Sequence, residues 1–179
     1  RQRQMCIRDR GISNTLRYRN LSLSFLIDVR YGGVMYSGTV SDLRVNGMAE
    51  ETIGKNRTDI VDKGVKQDGT ENTTAITPYQ FWSNNYSSKV SEANVFDATF
   101  VKLREMVLSY QMPQRWFKNC FIGSLALGVE GRNLWLMKSN VPHIDPETNI
   151  FGPSAVGSGV EYSAIPTTRS WGFNIKLTF

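Results

Sequence analysis

From Gly11 onward the apolar positions of this chain recur with a period of two. Residues 12–19 carry Ile12, Asn14, Leu16 and Tyr18 on one face and Ser13, Thr15, Arg17 and Arg19 on the other. Residues 21–31 alternate more cleanly: Leu21, Leu23, Phe25, Ile27, Val29 and Tyr31 oppose Ser22, Ser24, Asp28 and Arg30, with Leu26 the exception. A helix would smear such alternation around its circumference, so both runs read as strands. Arg19-Asn20 between them suits a two-residue hairpin turn, with Asn20 as the residue that tolerates a left-handed backbone. Residues 99–112 alternate in two phases, Val101 and Leu103 first, then Met106, Leu108 and Tyr110. The slip near Arg104–Glu105 is what a β-bulge produces. Residues 124–137 set Leu125, Leu127 and Val129 against Ala126, Gly128, Glu130 and Arg132. In the last ten residues Trp171, Phe173, Ile175, Leu177 and Phe179 share one face, and Ser170, Gly172, Asn174, Lys176 and Thr178 the other.

Two environments produce this pattern. In a β-sandwich the apolar face packs on a second sheet; in an outer-membrane barrel it meets lipid while the polar face lines the lumen. Three features favour the barrel. Roughly 11 residues at ~3.3 Å, tilted about 40°, span ~28 Å, close to the ~25 Å apolar band of such barrels. The connections alternate between short (19–20, 113–123) and long (32–98, 138–169), as periplasmic turns alternate with external loops. The chain closes inside its last strand; with that C-terminus in the periplasm, both short turns fall on the periplasmic side and both long loops outside. Aromatic residues sit near the expected interfaces: Trp116, Phe117 and Phe121 at the second turn, Tyr31 and Trp135 near the outer strand ends. The predicted fold class is therefore all-β: five antiparallel strands of a transmembrane β-barrel with long external loops. A secreted, non-catalytic β-sandwich that binds carbohydrate is the alternative.

Composition narrows the chemistry. The 179 residues are 40% hydrophobic and 21% charged, a globular balance rather than a disordered one. Cys6 and Cys120 are too far apart for a CxxC motif and too few for a disulfide framework. His143 is the single histidine, so a His-rich metal site is excluded. No run of 18 apolar residues exists, so no transmembrane helix is expected. The net charge of +5 suggests nucleic acid until it is located: Arg1, Arg3, Arg8 and Arg10 supply much of it against the lone Asp9. The rest is nearly balanced and forms no basic stripe. Residues 1–10 read as a leader foreign to the fold, residues 11–179 as the domain, and nucleic acid is not expected as a partner.

Four motifs carry a family resemblance. The run Asp97–Pro113 (DATFVKLREMVLSYQMP) resembles the D-A-S-F-[VL]-[KR]-L segment, ending in Y-x-[LM]-P, of the SusC/RagA family of TonB-linked outer-membrane receptors. GRNLW (Gly131–Trp135) is similar to that family's G-x-N-L-[FW] element. HIDPETN (His143–Asn149) resembles its Y-D-P-E loop, with His in place of the usual aromatic. Glu161–Phe179 resembles its C-terminal P-x-x-R-x-[WYF] closure with alternating apolar residues. The resemblance implies the C-terminal portion of a barrel of about 22 strands around a plug. It also implies import of oligosaccharides or peptides across the Gram-negative outer membrane, TonB-supplied energy coupled through an N-terminal part, a SusD-like surface lipoprotein as partner, no cofactor and no covalent chemistry.

On this reading Leu125, Leu127, Val129, Trp171, Phe173, Ile175, Leu177 and Phe179 face lipid, and Glu130, Arg132, Asn174 and Lys176 face the lumen. Arg at Ile175 or Leu127 should be costly, and Lys at Asn174 or Gly128 mild. Tyr79, Phe81, Trp82 and Tyr86 cluster in the loop PYQFWSNNYS, where aromatic faces could stack on a sugar or meet the lipoprotein lid. Asp145 and Glu147 beside His143 have the oxygen and nitrogen ligands of a cation site, although Pro146 and Thr148 are ordinary turn residues. Asn56, Asn72 and Asn85 stand in N-glycosylation sequons, a coincidence in a bacterial outer-membrane protein. Ser109 has no His–Asp constellation, and no catalytic carboxylate pair or phosphate loop is present.

Overall fold

The computed structural model describes residues 8–53, 58–87, 90–117, 121–150 and 159–178. Cys6, Cys120, Asn56, Arg57 and Phe179 fall outside them. The chain divides into two compact units, one formed by the segments ending at Gly32, Thr99–Asn140 and the last residues from Thr167, the other by Gly33–Ala98 and Val141–Pro166.

The first unit is one antiparallel sheet. Its strands are β1 (Arg8–Tyr18), β2 (Leu21–Tyr31), β7 (Phe100–Gln111), β8 (Ser124–Ser139) and β10 (Ser170–Thr178), in that spatial order. All five strands expected from periodicity are present, and each pairs with its sequence neighbour among them. β1 begins at Arg8, so Arg8, Asp9 and Arg10 pair with Tyr31, Arg30 and Val29. Within this unit the long strands form a single open sheet, not the two stacked layers of a sandwich. No helix among the described residues is long and apolar enough to cross a membrane.

Register explains the phase slip. Leu26 pairs with Glu105 and Ile27 with Leu103, so Arg104 is the extra residue of β7. A second shift lies on the other side, where Leu103 meets Trp135 but Glu105 meets Arg132, so Arg104 stands against two residues of β8, Asn133 and Leu134. One inserted residue lets Leu103 and Met106 stay on the apolar face while Arg104 and Glu105 stand together on the polar side. The bulge has a partner in β8: Asn133 adopts a φ of 51°. Its Oδ1 accepts from Arg104 at 3.3 Å and its Nδ2 donates to the Thr168 carbonyl at 3.0 Å. Arg104 also pairs with Asp28 on β2. The Asn of GRNLW thus ties three segments of the sheet at the bulge.

The first turn corrects one expectation. Tyr18 pairs with Leu21, leaving Arg19-Asn20 as the loop, but the left-handed residue is Arg19, with φ 51°. Asn20 is committed to β7 instead. Its Nδ2 donates to the Gln111 carbonyl at 2.6 Å, and its own carbonyl accepts from the Gln111 N–H at 2.8 Å.

The second unit is built from short elements: β3 (Val34–Ser37), α1 (Gly38–Val45), β4 (Ile60–Val61), β5 (Ala75–Ile76), α2 (Pro78–Phe81), β6 (Val95–Asp97) and β9 (Val160–Glu161). β3 lies between β6, antiparallel, and β9, parallel; β4 and β5 form a small hairpin. Met35, Ala98 and Val141 make a buried cluster, with Phe96 and Ile144 packed against it. Ser37 caps α1 by accepting from the Val40 N–H. Glu161, 1% exposed, receives hydrogen bonds at 2.6 Å from the Ser37 and Thr39 hydroxyls and one at 3.2 Å from the Ala164 N–H. Three donors and the first turn of α1 make a buried carboxylate tolerable there.

Candidate functional site

Cross-strand partners point to the same side of a sheet, so the register sorts the side chains without reference to any ligand. One row runs Leu21, Tyr110, Leu127, Ile175; the next runs Leu23, Leu108, Val129, Phe173. Leu125 opposes Leu177, and Gly131 opposes Trp171. The intervening rows are Thr15, Ser24, Val107, Glu130, Gly172 and Ser13, Leu26, Glu105, Arg132, Ser170. Asn174 opposes Gly128 and Lys176 opposes Ala126. The described residues expected at lipid thus share one face, and those expected at the lumen share the other, with Phe179 outside the described residues.

The apolar face is uncovered. Phe173 is 84% exposed, Ile175 68% and Trp171 62%, with Ile12, Leu16, Tyr110, Leu127 and Val129 exposed beside them. A shallow groove of about 510 Å³ runs between Leu21, Leu108, Tyr110, Val129 and Phe173. A contiguous apolar sheet of this size is not left to water; it marks contact with a membrane or another protein. Glycines shape both faces. A Cβ at Gly131 would lie 3.1 Å from the Trp171 ring, and one at Gly128 would lie 2.3 Å from the Asn174 amide. Lys at Gly128 therefore requires the exposed Asn174 side chain to swing aside, which a flexible side-chain end does cheaply; Asn174 remains the cleaner polar-face position.

The polar face is internally paired. Thr15 and Ser24 hydroxyls lie 3.0 Å apart, and Arg104 joins Asp28 and Asn133. Lys102, only 3% exposed, donates to Thr167 Oγ1 at 2.7 Å. Glu130 is half-buried and Arg132 exposed. Trp116 and Phe121, at the second short turn, are 62% and 80% exposed.

The loop aromatics separate into two roles. Thr77 and Gln80 form a reciprocal cap around α2, with Pro78 at its first turn, which fixes the helix despite its four residues. Tyr79 projects from it, 63% exposed. Phe81 packs edge-on against Trp82, ring centroids 5.2 Å apart. Trp82 in turn stacks on the Arg44 guanidinium at 4.5 Å, and Phe96 flanks the same group at 5.3 Å. Trp82 thus holds an arginine, Tyr79 is presented outward, and the Tyr86 side chain is outside what is described.

HIDPETN folds as a turn. Asp145 Oδ1 accepts from the Glu147 N–H, and the Asp145 carbonyl accepts from Thr148. His143, with φ 65°, turns instead to Glu51, Nε2 to Oε2 3.1 Å. Among the described residues no metal-ligating cluster forms. Burial raises the Glu51 carboxyl, but the Arg44 guanidinium, bonded at 2.5 Å, and His143 outweigh it and hold the group below its ordinary value. Asn72, of the sequon at 72–74, is engaged in its own turn, accepting from the Thr74 N–H and donating to the Asp62 carbonyl.

No protein-family profile matches the chain. TonB-dependent receptor P3 of Formosa agariphila is 24% identical over 173 residues, covering 94% of this chain and 16% of that protein. TonB-dependent receptor P26 of the same organism is 26% identical over 172 residues, with the same coverage. The chain therefore spans about one sixth of the length of these curated relatives. Among solved structures, the RagAB peptide importer in its open-open state aligns with a TM-score of 0.59 at 17% identity, over 96% of this chain and 17% of that one. The closed-closed state gives 0.60 at 17% identity, and a further RagAB peptide transporter structure gives 0.59 at 20%. Open antiparallel sheet, exposed apolar face, curated relatives and shared fold agree: over nearly its whole length the chain is similar to TonB-dependent receptors, and the resemblance to the SusC/RagA type is borne out.

Proposed function

We propose that the chain is the C-terminal part of the barrel of an outer-membrane active transporter, which imports oligosaccharides or peptides with energy supplied through TonB. The observation that carries this reading is the five-stranded sheet with one continuous, uncovered apolar face and one hydrogen-bonded polar face. Leu125, Leu127, Val129, Trp171, Phe173, Ile175, Leu177 and Phe179 meet lipid; Glu130, Arg132, Asn174 and Lys176 line the lumen. The C-terminus lies in the periplasm, so the turns at 19–20 and 113–123 are periplasmic. Residues 11–179 are barrel and loops, and Arg8, Asp9 and Arg10 of the expected leader join them as the start of β1. A SusD-like lipoprotein closes over the external loops, with Tyr79, Phe81, Trp82 and Tyr86 on the substrate or lid side. The protein carries substrate without covalent chemistry.

The solved RagAB structures are of a peptide importer, which favours peptides as one substrate class. The test is uptake of labelled oligosaccharides and peptides by the source cells. Import should vanish on deleting the receptor gene, and equally on deleting TonB while the receptor remains in the outer-membrane fraction. Uptake unchanged by both deletions, or a protein recovered from the soluble fraction, would refute the transporter.

A further inference from the structure

The second unit holds a cleft of about 410 Å³ bordered by Arg44, Asn46, Thr52, Thr77, Pro78 and Tyr79, within the ~300–1,000 Å³ range of small-ligand sites. Its chemistry is one-sided. Arg44 donates from Nε to Glu51 and from Nη1 to the Ala93 carbonyl and Asn94 Oδ1. Its Nη2 has no protein partner among the described residues. No buried side-chain nitrogen or oxygen lacks a partner there, so Nη2 is open to solvent while the side chain as a whole is only 11% exposed. Three hydrogen bonds and the stacked Trp82 ring fix the guanidinium in advance, which lowers the entropic cost of using its remaining donors.

The other side chains add to this polarity. Thr77 Oγ1 accepts from the Gln80 N–H, leaving its hydroxyl proton for a ligand, and the exposed Tyr79 contributes a phenol at the rim. Among the described residues neither Asp nor Glu borders the cleft. Glu51 offsets one charge behind Arg44, so the site suits a single negative charge rather than a dianion.

From this we propose, on the footing of the transporter reading, that the cleft binds the carboxylate of the imported substrate. Arg44 Nη2 and the Thr77 hydroxyl donate to it, and Tyr79 forms one wall. A free peptide C-terminus and a uronic acid residue present the same group, and the ligand series tells them apart.

The test is calorimetric binding to the whole detergent-purified receptor, without TonB, so that a failure of import and a failure of binding are read separately. The probes are methyl glucuronide against methyl glucoside, and an N-acetyl dipeptide acid against its amide. In at least one series the acid should bind at least tenfold tighter than its neutral counterpart, the scale of one or two charge-assisted hydrogen bonds. Arg44→Gln should abolish that preference. Because Arg44 also organises the unit, the deciding variant is Thr77→Asp. Aspartate still caps α2 but places a carboxylate in the cleft, so acid affinity should fall at least tenfold and the preference for the acid over its neutral counterpart should be lost. No acid preference in either series, or a preference that survives Thr77→Asp, overturns the proposal.

Discussion

Arginine at Ile175 tests the apolar face at its most demanding point. Ile175 stands one residue from Asn174, the midpoint of β10 (Ser170–Thr178). At ~3.3 Å per residue and a tilt of about 40°, it lies only ~2.5 Å from mid-height in the apolar band. It opposes Leu127 and is 68% exposed, so little protein is available to shield a guanidinium. Arg at such a depth costs about 2–4 kcal/mol, which shifts the folded–unfolded ratio by about 30- to 800-fold. Asn174→Lys, one residue along and on the opposite face, is the matched control and should stay within about 0.5 kcal/mol. The assay is equilibrium unfolding of the whole receptor in lipid vesicles, followed by denaturant midpoint at constant slope. Equal costs at the two positions would refute the assignment of faces. A larger cost at Asn174 would invert it.

Three further outcomes follow from local geometry. Gly38→Ala should loosen the second unit, because the new Cβ would lie 2.1 Å from a Tyr162 ring carbon; overpacking of about 1–3 kcal/mol should appear as faster amide exchange across residues 159–166. Asn133→Ala removes the residue that joins Arg104 to Thr168 and leaves a side chain that disfavours a φ of 51°; about 1–3 kcal/mol should be lost in the unfolding assay, and unchanged stability would deny the bulge its structural role. Glu51 is held below its ordinary value, so its contribution is complete above the unfolded carboxylate range and is lost as pH falls through the lower folded value. Exchange protection around Arg44, Glu51 and His143 should therefore hold from pH 7 to 5 and drop below about pH 4, whereas protection flat to pH 3 would contradict the pairing.

Much of the sheet was legible in the chain because each long strand carries five or more alternations, enough to fix both its type and its faces. Even the bulge showed, since an inserted residue leaves two polar positions in succession at Arg104–Glu105. The turn residue did not: Asn20 tolerates a left-handed backbone, but its bonds to Gln111 depend on a strand some ninety positions away. The same limit hid the second unit. Strands of two to four residues have no measurable period, and the Arg44–Glu51–His143 chain joins three separate segments. The aromatic cluster was visible as composition, but only the fold shows that Trp82 grips Arg44 while Tyr79 faces outward. Likewise Gly128 looked like a free lumen position until the Asn174 amide was found above it.

The most direct measurement of the central claim is a cysteine scan along β10 in the whole receptor, embedded in vesicles, with Cys6 and Cys120 replaced by serine. Single cysteines from Trp171 to Leu177 are exposed to a charged, membrane-impermeant thiol reagent. Labelling should alternate, with Gly172, Asn174 and Lys176 reacting through the aqueous lumen and Trp171, Phe173, Ile175 and Leu177 protected by lipid. Uniform reactivity along the strand, or protection on the polar side alone, would contradict a sheet that has lipid on one face and water on the other.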